Sequence, residues 1–371
     1  GNYPPLPHFS IFSVVLKYPS QVLVLMGLAR IERASPSVLP SSLLVVGTML
    51  MALSVYFDAW WHEAIGRESF WIPPHLGIYA GLFTSLAGFS LLLRTARLKL
   101  HPGLWVYAAG ITGVVVAGYA DELWHERFGV EKIGTLQAIW SPTHVAALVG
   151  GTIAALGIIS HLSTMSRRPE VKDTRLGWLL AAEFGVLVSI ATLLLLPLGP
   201  ETPFRLLGVW GAPTVAFAIL SMRFFGSALS EKPWALTLIT SFNWTGNAVL
   251  LSNHAPPLLL LQLLAVGLVP PFLADVIIQR GRRLKAVRNA YVAAGLVWGI
   301  IFGAFFYPLT NGLVFTGTSI ILDPASLLMI GASSAAASVL AGFLAGQTSE
   351  QWLFSTPLSV AKADVRVGAR A

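Results

Sequence analysis

The sequence predicts an all-α, polytopic membrane bundle of about ten transmembrane helices, built from repeated helical hairpins. Three observations carry that expectation. Of the 371 residues, 55% are hydrophobic and only 11% are charged, far below the roughly 25% charge of a soluble domain. Uncharged apolar runs of the length a bilayer core demands, about 20 residues, recur down the chain. The basic residues gather in short clusters between those runs rather than spreading over a solvated surface.

Taken in order, spans are expected near 40–58, 72–93, 104–121, 141–160, 177–197, 205–222, 234–252, 256–276, 289–308 and 324–346. Residues 1–38 form an N-terminal interfacial or additional membrane segment, because the apolar stretch from Phe9 to Ala29 holds Lys17 and Pro19. It has neither the basic start nor the small-residue cleavage site of a signal peptide. Residues 39–165 carry two polar hairpins, residues 166–350 carry further membrane helices with a degenerate form of the same pattern, and 351–371 read as a cytoplasmic tail.

Orientation follows from charge. Nineteen of the 24 basic residues fall on one side, among them Arg94, Arg97, Arg167, Arg168 and the run from Arg280 to Arg288. Only Arg67, Arg127, Lys132 and Arg205 fall on the other, so the positive-inside rule makes the first side cytoplasmic. Contact with anionic lipid accounts for the basic clusters despite a pI of about 9.8, and no nucleic-acid partner is expected. The chain has no cysteine, which excludes disulfides, iron–sulfur clusters, thiolate zinc sites and cysteine nucleophiles. Walker, G-x-S-x-G and H-E-x-x-H motifs are absent from the sequence, leaving nucleotide hydrolysis and serine or zincin proteolysis without support.

The first two hairpins repeat each other. Residues 58–66 read Asp-Ala-Trp-Trp-His-Glu-Ala-Ile-Gly and residues 121–129 read Asp-Glu-Leu-Trp-His-Glu-Arg-Phe-Gly, a shared D-x-x-W-H-E-x-x-G. Each is followed by W-x-P-x-H at the start of the next helix, Trp71 to His75 and Trp140 to His144. An eroded echo, Trp210-Gly-Ala-Pro-Thr214, keeps the tryptophan and proline but neither the acid nor the histidines. Asp58 and His62 are four residues apart, as are Asp121 and His125, so each pair projects from one helical face. The prolines suit the first turn of the returning helix, which sets His75 and His144 near the Asp–His pairs. Asp58, His62 and His75, and again Asp121, His125 and His144, are therefore candidate metal ligands. Two imidazoles and a carboxylate suit copper, zinc or non-haem iron, and ligand type alone does not choose among them. Against this stands the plain reading that such residues cap helix ends at the interface. Ionisable groups in a membrane bundle are nonetheless costly enough to default to function. Glu63 and Glu126 are either partners that orient a histidine or solvated loop residues.

At these positions the sequence resembles the C subunit of the copper membrane monooxygenases, the particulate methane and ammonia monooxygenase family. The resemblance rests on an aspartate, a histidine four residues on, and a second histidine thirteen residues beyond it after a proline turn. Asp58, His62 and His75 reproduce both intervals. Asp121, His125 and His144 reproduce the first, with six residues inserted in the second. It implies copper held by Asp and two His in the cell membrane, facing the extracytoplasmic side, in a chain that works beside other membrane subunits. It further implies membership of an oxidase or copper-dependent monooxygenase complex. That family's additional Asn and His four residues apart have no counterpart here; Asn247, Asn253 and His254 are nearest, at other spacings.

Two other classes compete. One is a haem-binding electron-transfer subunit with opposed histidines, which does not call for an aspartate one turn before each. The other is a metal or small-molecule transporter, for which internal repeats are also expected. Glu183, inside an apolar span, is a candidate for a proton path or an interhelical hydrogen bond. His101 and His161 lie among the cytoplasmic basic residues and are expected to face solvent. His254 precedes Pro256 in what reads as a helix-start turn.

Overall fold

The structure is a computed structural model that describes residues 38–66, 69–95, 101–129, 141–166, 175–195, 218–220, 232–252, 257–301 and 324–347. Its described elements are helical, without strands. In chain order they are α1 (Val38–Ala64), α2 (Pro73–Thr95), α3 (Pro102–Phe128), α4 (Pro142–Ser166), α5 (Arg175–Leu195), α6 (Ala235–Leu251), α7 (Pro257–Arg283), α8 (Val287–Ile301) and α9 (Pro324–Gln347). The first five contain segments long and apolar enough to cross a membrane. The segment at 9–29, all but three residues of the span at 205–222, the echo at Trp210, His254 and the tail at 351–371 lie outside the described residues.

Several helices begin where proline permits it. α2, α4, α7 and α9 open on Pro73, Pro142, Pro257 and Pro324, and α3 on Pro102, where a missing N–H costs nothing. The ends of α1 and α3 explain the last residue of the repeat. Gly66 and Gly129 have φ of 68° and 79°, backbone that glycine adopts without the strain a side chain brings. The Gly66 N–H bonds back to Trp61 O and that of Gly129 to His125 O, closing each helix just after its polar motif.

α1 packs on α2 and α3 on α4 as antiparallel hairpins, and the two seams use equivalent residues. In the first, Gly47 meets the backbone of Gly81 and Ser85, Gly81 meets Met51, and Gly88 meets Pro40 and Leu44. In the second, Gly110 meets Gly150 and Ala154, Gly150 meets Val114, and Gly157 meets Gly103 and Tyr107. Gly47 precedes Asp58, and Gly110 precedes Asp121, by the same eleven residues. The duplication is therefore a duplication of whole hairpins, zipped by small residues that let the backbones close in.

The core joins these hairpins to α5 and α6. α5 contacts α4, α1 and α6, and α6 continues to α7, then α8 and α9. Leu44, Tyr107, Ile158, Leu180, Phe184 and Ile239 form part of one buried cluster across α1, α3, α4, α5 and α6. The entry to α6 is held from outside. Trp234 before it is left-handed at φ 66° and supplies no side-chain cap. Buried Asp275 of α7 takes over, accepting hydrogen bonds from Leu236 N at 3.2 Å, Thr237 N at 2.9 Å and Thr237 Oγ1 at 2.7 Å. These satisfy donors that every helix start leaves open.

Candidate metal centres

The two hairpins each bring one carboxylate and two imidazoles together in the last turns of one helix and the first turn of the next. In the first, His62 Nε2 lies 3.2 Å from Asp58 Oδ2, and His75 Nε2 lies 3.3 Å from Asp58 Oδ1. In the second, His125 Nε2 lies 3.8 Å from Asp121 Oδ2, and His144 Nε2 lies 3.3 Å from Asp121 Oδ1. All six sequence-predicted residues are thus assembled as expected, three to a hairpin. Within each group one ligand atom per residue can be chosen so that all three lie within 4.8 Å of one another. The extra residues between His125 and His144 do not swing His144 away. Pro142 starts α4 beside the end of α3, and the glycine seam fixes that register.

The donor set passes a geometric test. Bonds of about 2.0–2.1 Å in a tetrahedron place neighbouring ligand atoms roughly 3.3 Å apart, and three of the four His–Asp separations fall at 3.2–3.3 Å. The 3.8 Å of His125 needs a small inward movement, as does any other ligand-atom pair nearer the 4.8 Å limit. Each carboxylate oxygen faces a different imidazole. A cation between them meets one negative and two neutral donors, a set suited to a divalent ion. The side chains are 16% to 31% exposed, shielded yet reachable from the helix ends.

The copies differ in what surrounds the ligands. Around the first lies an aromatic collar: Tyr79 sits 6.4 Å from the His75 ring and 5.1 Å from Phe70, and Phe57 stacks on Trp60 at 5.5 Å. Tyr79 donates to Phe70 O at 3.2 Å, tying the loop before α2 to that helix. Around the second lie hydroxyls. Thr143 donates a short hydrogen bond to Asp121 Oδ1, and Ser141 Oγ is 3.1 Å from Thr143 Oγ1. Ser141 also caps His144 N at 3.2 Å. Ile72 and Pro74 stand at those two places in the first copy, so that hydroxyl pair is particular to the second. Sequence reasoning missed both sets. Their signal was present, Tyr79 one turn after His75 and the Ser-Pro-Thr-His order. Glu126, weighed as a partner for its histidine, is exposed, which fits the solvated alternative.

One expectation is corrected. His161 does not face solvent: it is 4% exposed, with Nε2 3.4 Å from Ser41 Oγ and its ring 6.0 Å from that of His101. α4 runs on to Ser166, past the expected end of that span at 160, which carries position 161 into the packing against α1. His101 is partly buried, and its Nδ1 caps α3 by accepting from Gly103 N at 3.0 Å. Glu183 is fully buried, with Oε2 2.7 Å from Thr48 Oγ1, in keeping with the interhelical hydrogen bond considered for it.

No family model matches the chain, and it finds no significant match among curated proteins or among solved structures.

Proposed function

We propose that the chain is a membrane-embedded metal-binding subunit of a multisubunit complex, with two Asp/His/His centres near the extracytoplasmic face. Copper is the preferred ion, through the resemblance to the copper membrane monooxygenases, and an oxidase or monooxygenase is the preferred setting. The observation that carries this reading is the repeated convergence of two imidazoles on one carboxylate, in two hairpins sharing the same glycine seam. Asp58, His62 and His75 would hold one ion, and Asp121, His125 and His144 a second. Such an ion supplies Lewis acidity or one-electron chemistry. The residues themselves set the charge at each centre, fix the imidazoles' direction and limit access by water.

The ten-span topology belongs to the same proposal. Among the described residues, nine helices overlap nine of the ten expected spans, five of them long and apolar enough to cross a membrane, and the basic asymmetry supports an outward position for the Asp/His/His hairpin ends. Against haem, both imidazoles of each group meet the aspartate carboxylate, and the two rings stand edge to face rather than opposed across a macrocycle's width. Against transport, the ligands lie at helix ends rather than on broken helices at the midplane.

Elemental analysis and electronic spectroscopy of the purified protein test the reading. Bound copper is expected, with its content lowered sharply in His62→Ala while helicity is retained. A metal content unchanged by that substitution, or a haem spectrum, overturns it.

A further inference from the structure

Outside the Asp/His/His hairpins, the middle of the bundle holds an acid whose bond to Thr48 engages only one of its two oxygens among the described residues. Glu183 is fully buried on α5, in a cluster lined by Leu44, Val45, Leu180, Phe184 and Leu187. No Lys or Arg is buried among the described residues, and the phenol of Tyr107 on α3 lies close enough to Glu183 to interact with it electrostatically. Tyr107 is itself spent on a 2.8 Å hydrogen bond to Ser85 Oγ. An ionised carboxylate would therefore stand in apolar surroundings with one hydroxyl for company, and an isolated buried charge neutralises instead.

Hydrogen counting at Thr48 leads to the same state. Thr48 Oγ1 has three oxygens in reach: Glu183 Oε2 at 2.7 Å, Val45 O at 3.0 Å and Leu44 O at 3.3 Å. A hydroxyl has one hydrogen and two lone pairs, and backbone carbonyls only accept. If Glu183 is a carboxylate, three acceptors compete for that hydrogen. If Glu183 Oε2 carries a proton it donates to Thr48 Oγ1, and the threonine hydrogen goes to the helix carbonyls. In the second arrangement Thr48 Oγ1 both accepts and donates, and the 2.7 Å contact is an ordinary O–H···O hydrogen bond. The other oxygen, Oε1, is buried and has no hydrogen-bond partner among the described residues.

Polar groups continue along α1 on either side. Ser41 lies two turns towards the N-terminal end on the same face as Thr48, roughly 10 Å away at 1.5 Å per residue, and meets His161. Two turns the other way, Tyr56 donates towards Ser189 O at 3.2 Å and Asn243 Oδ1 at 3.1 Å. Asn247 joins them, and Ser189 Oγ is buried with no partner among the described residues.

We propose that Glu183 is a proton-binding site of the bundle interior, a neutral carboxylic acid that exchanges its proton with solvent. Exchange breaks the Glu183 O–H bond, forms an O–H bond on a water as hydronium, and leaves a carboxylate; the reverse restores the acid. The proposal is independent of whether the hairpins bind metal. Dicyclohexylcarbodiimide, an apolar reagent selective for protonated carboxyls, tests it on the full chain in detergent, with peptide mapping of the adduct. Infrared spectroscopy in H2O and D2O supplies the second readout. The expected results are an adduct on Glu183 and a protonated-carboxyl C=O band that shifts on deuteration. That band should be lost in Glu183→Gln and displaced in Thr48→Val, whose hydroxyl no longer meets the acid. No adduct at Glu183, or a band that stays put in D2O, overturns the proposal. Adduct mapping and deuteration need only the wild-type chain, so they decide the matter even if a variant does not fold.

Discussion

Replacing Gly110 by alanine adds a methyl group where the hairpin has no room. A Cβ at that position meets the backbone nitrogen and Cα of Ala154 and the carbonyl oxygen of Gly150, atoms that cannot rotate away. The helices must separate, and overpacking of this kind costs about 1–3 kcal/mol. Alanine's advantage over glycine inside a helix returns only about 0.5–1 kcal/mol, so the net effect is destabilising. Gly118 on the same helix is the matched control, because a Cβ there meets nothing within 4 Å; Gly118→Ala should be neutral or stabilising by up to about 1 kcal/mol. Gly47→Ala should behave like Gly110→Ala, since it presses on the backbone of Ser85 and Gly81. Reversible denaturation in mixed micelles, followed by far-UV circular dichroism, measures all three. Equal stability of Gly110→Ala and Gly118→Ala would refute the glycine-seam argument and the hairpin equivalence built on it.

Other perturbations separate the two centres and the helix entry. Thr143→Val removes the hydrogen bond to Asp121 and should weaken metal at the second centre by about 10–100-fold, leaving the first unchanged in a competition titration. Asp275→Ala strips three hydrogen bonds from the start of α6 and leaves buried donors open, a loss of about 1–3 kcal/mol or more by the same denaturation assay. The cysteine-free chain allows single-cysteine labelling: position 68 should react only from outside and position 97 only from the cytoplasmic side. Cytoplasmic labelling at 68 would invert the proposed topology.

Much of the architecture was legible because membrane helices and polar ligands write strong signals. Long apolar runs announced the helices, and D-x3-H with a proline-led histidine picked out the six residues that the hairpins bring together three by three. The depth of the duplication was less visible, since the eye follows Trp and His while the packing is set by Gly47, Gly81, Gly110 and Gly150. His161 was misjudged because charge in the neighbouring loop says nothing about how far a helix continues beyond the apolar run. The cap on α6 by Asp275 joins residues some 40 positions apart, a tertiary contact that no local pattern encodes. Thr143 and Tyr79 lay beside the ligands in sequence, but their roles depend on which face of the helix start turns towards the carboxylate.

The central claim is that each hairpin is a separate metal centre, and metal stoichiometry tests it most directly. After loading and removal of free ion, the wild-type chain should retain two ions, Asp58→Asn and Asp121→Asn one each, and the double variant none. Retention of metal by the double variant, or complete loss from either single variant, would contradict two independent Asp/His/His centres.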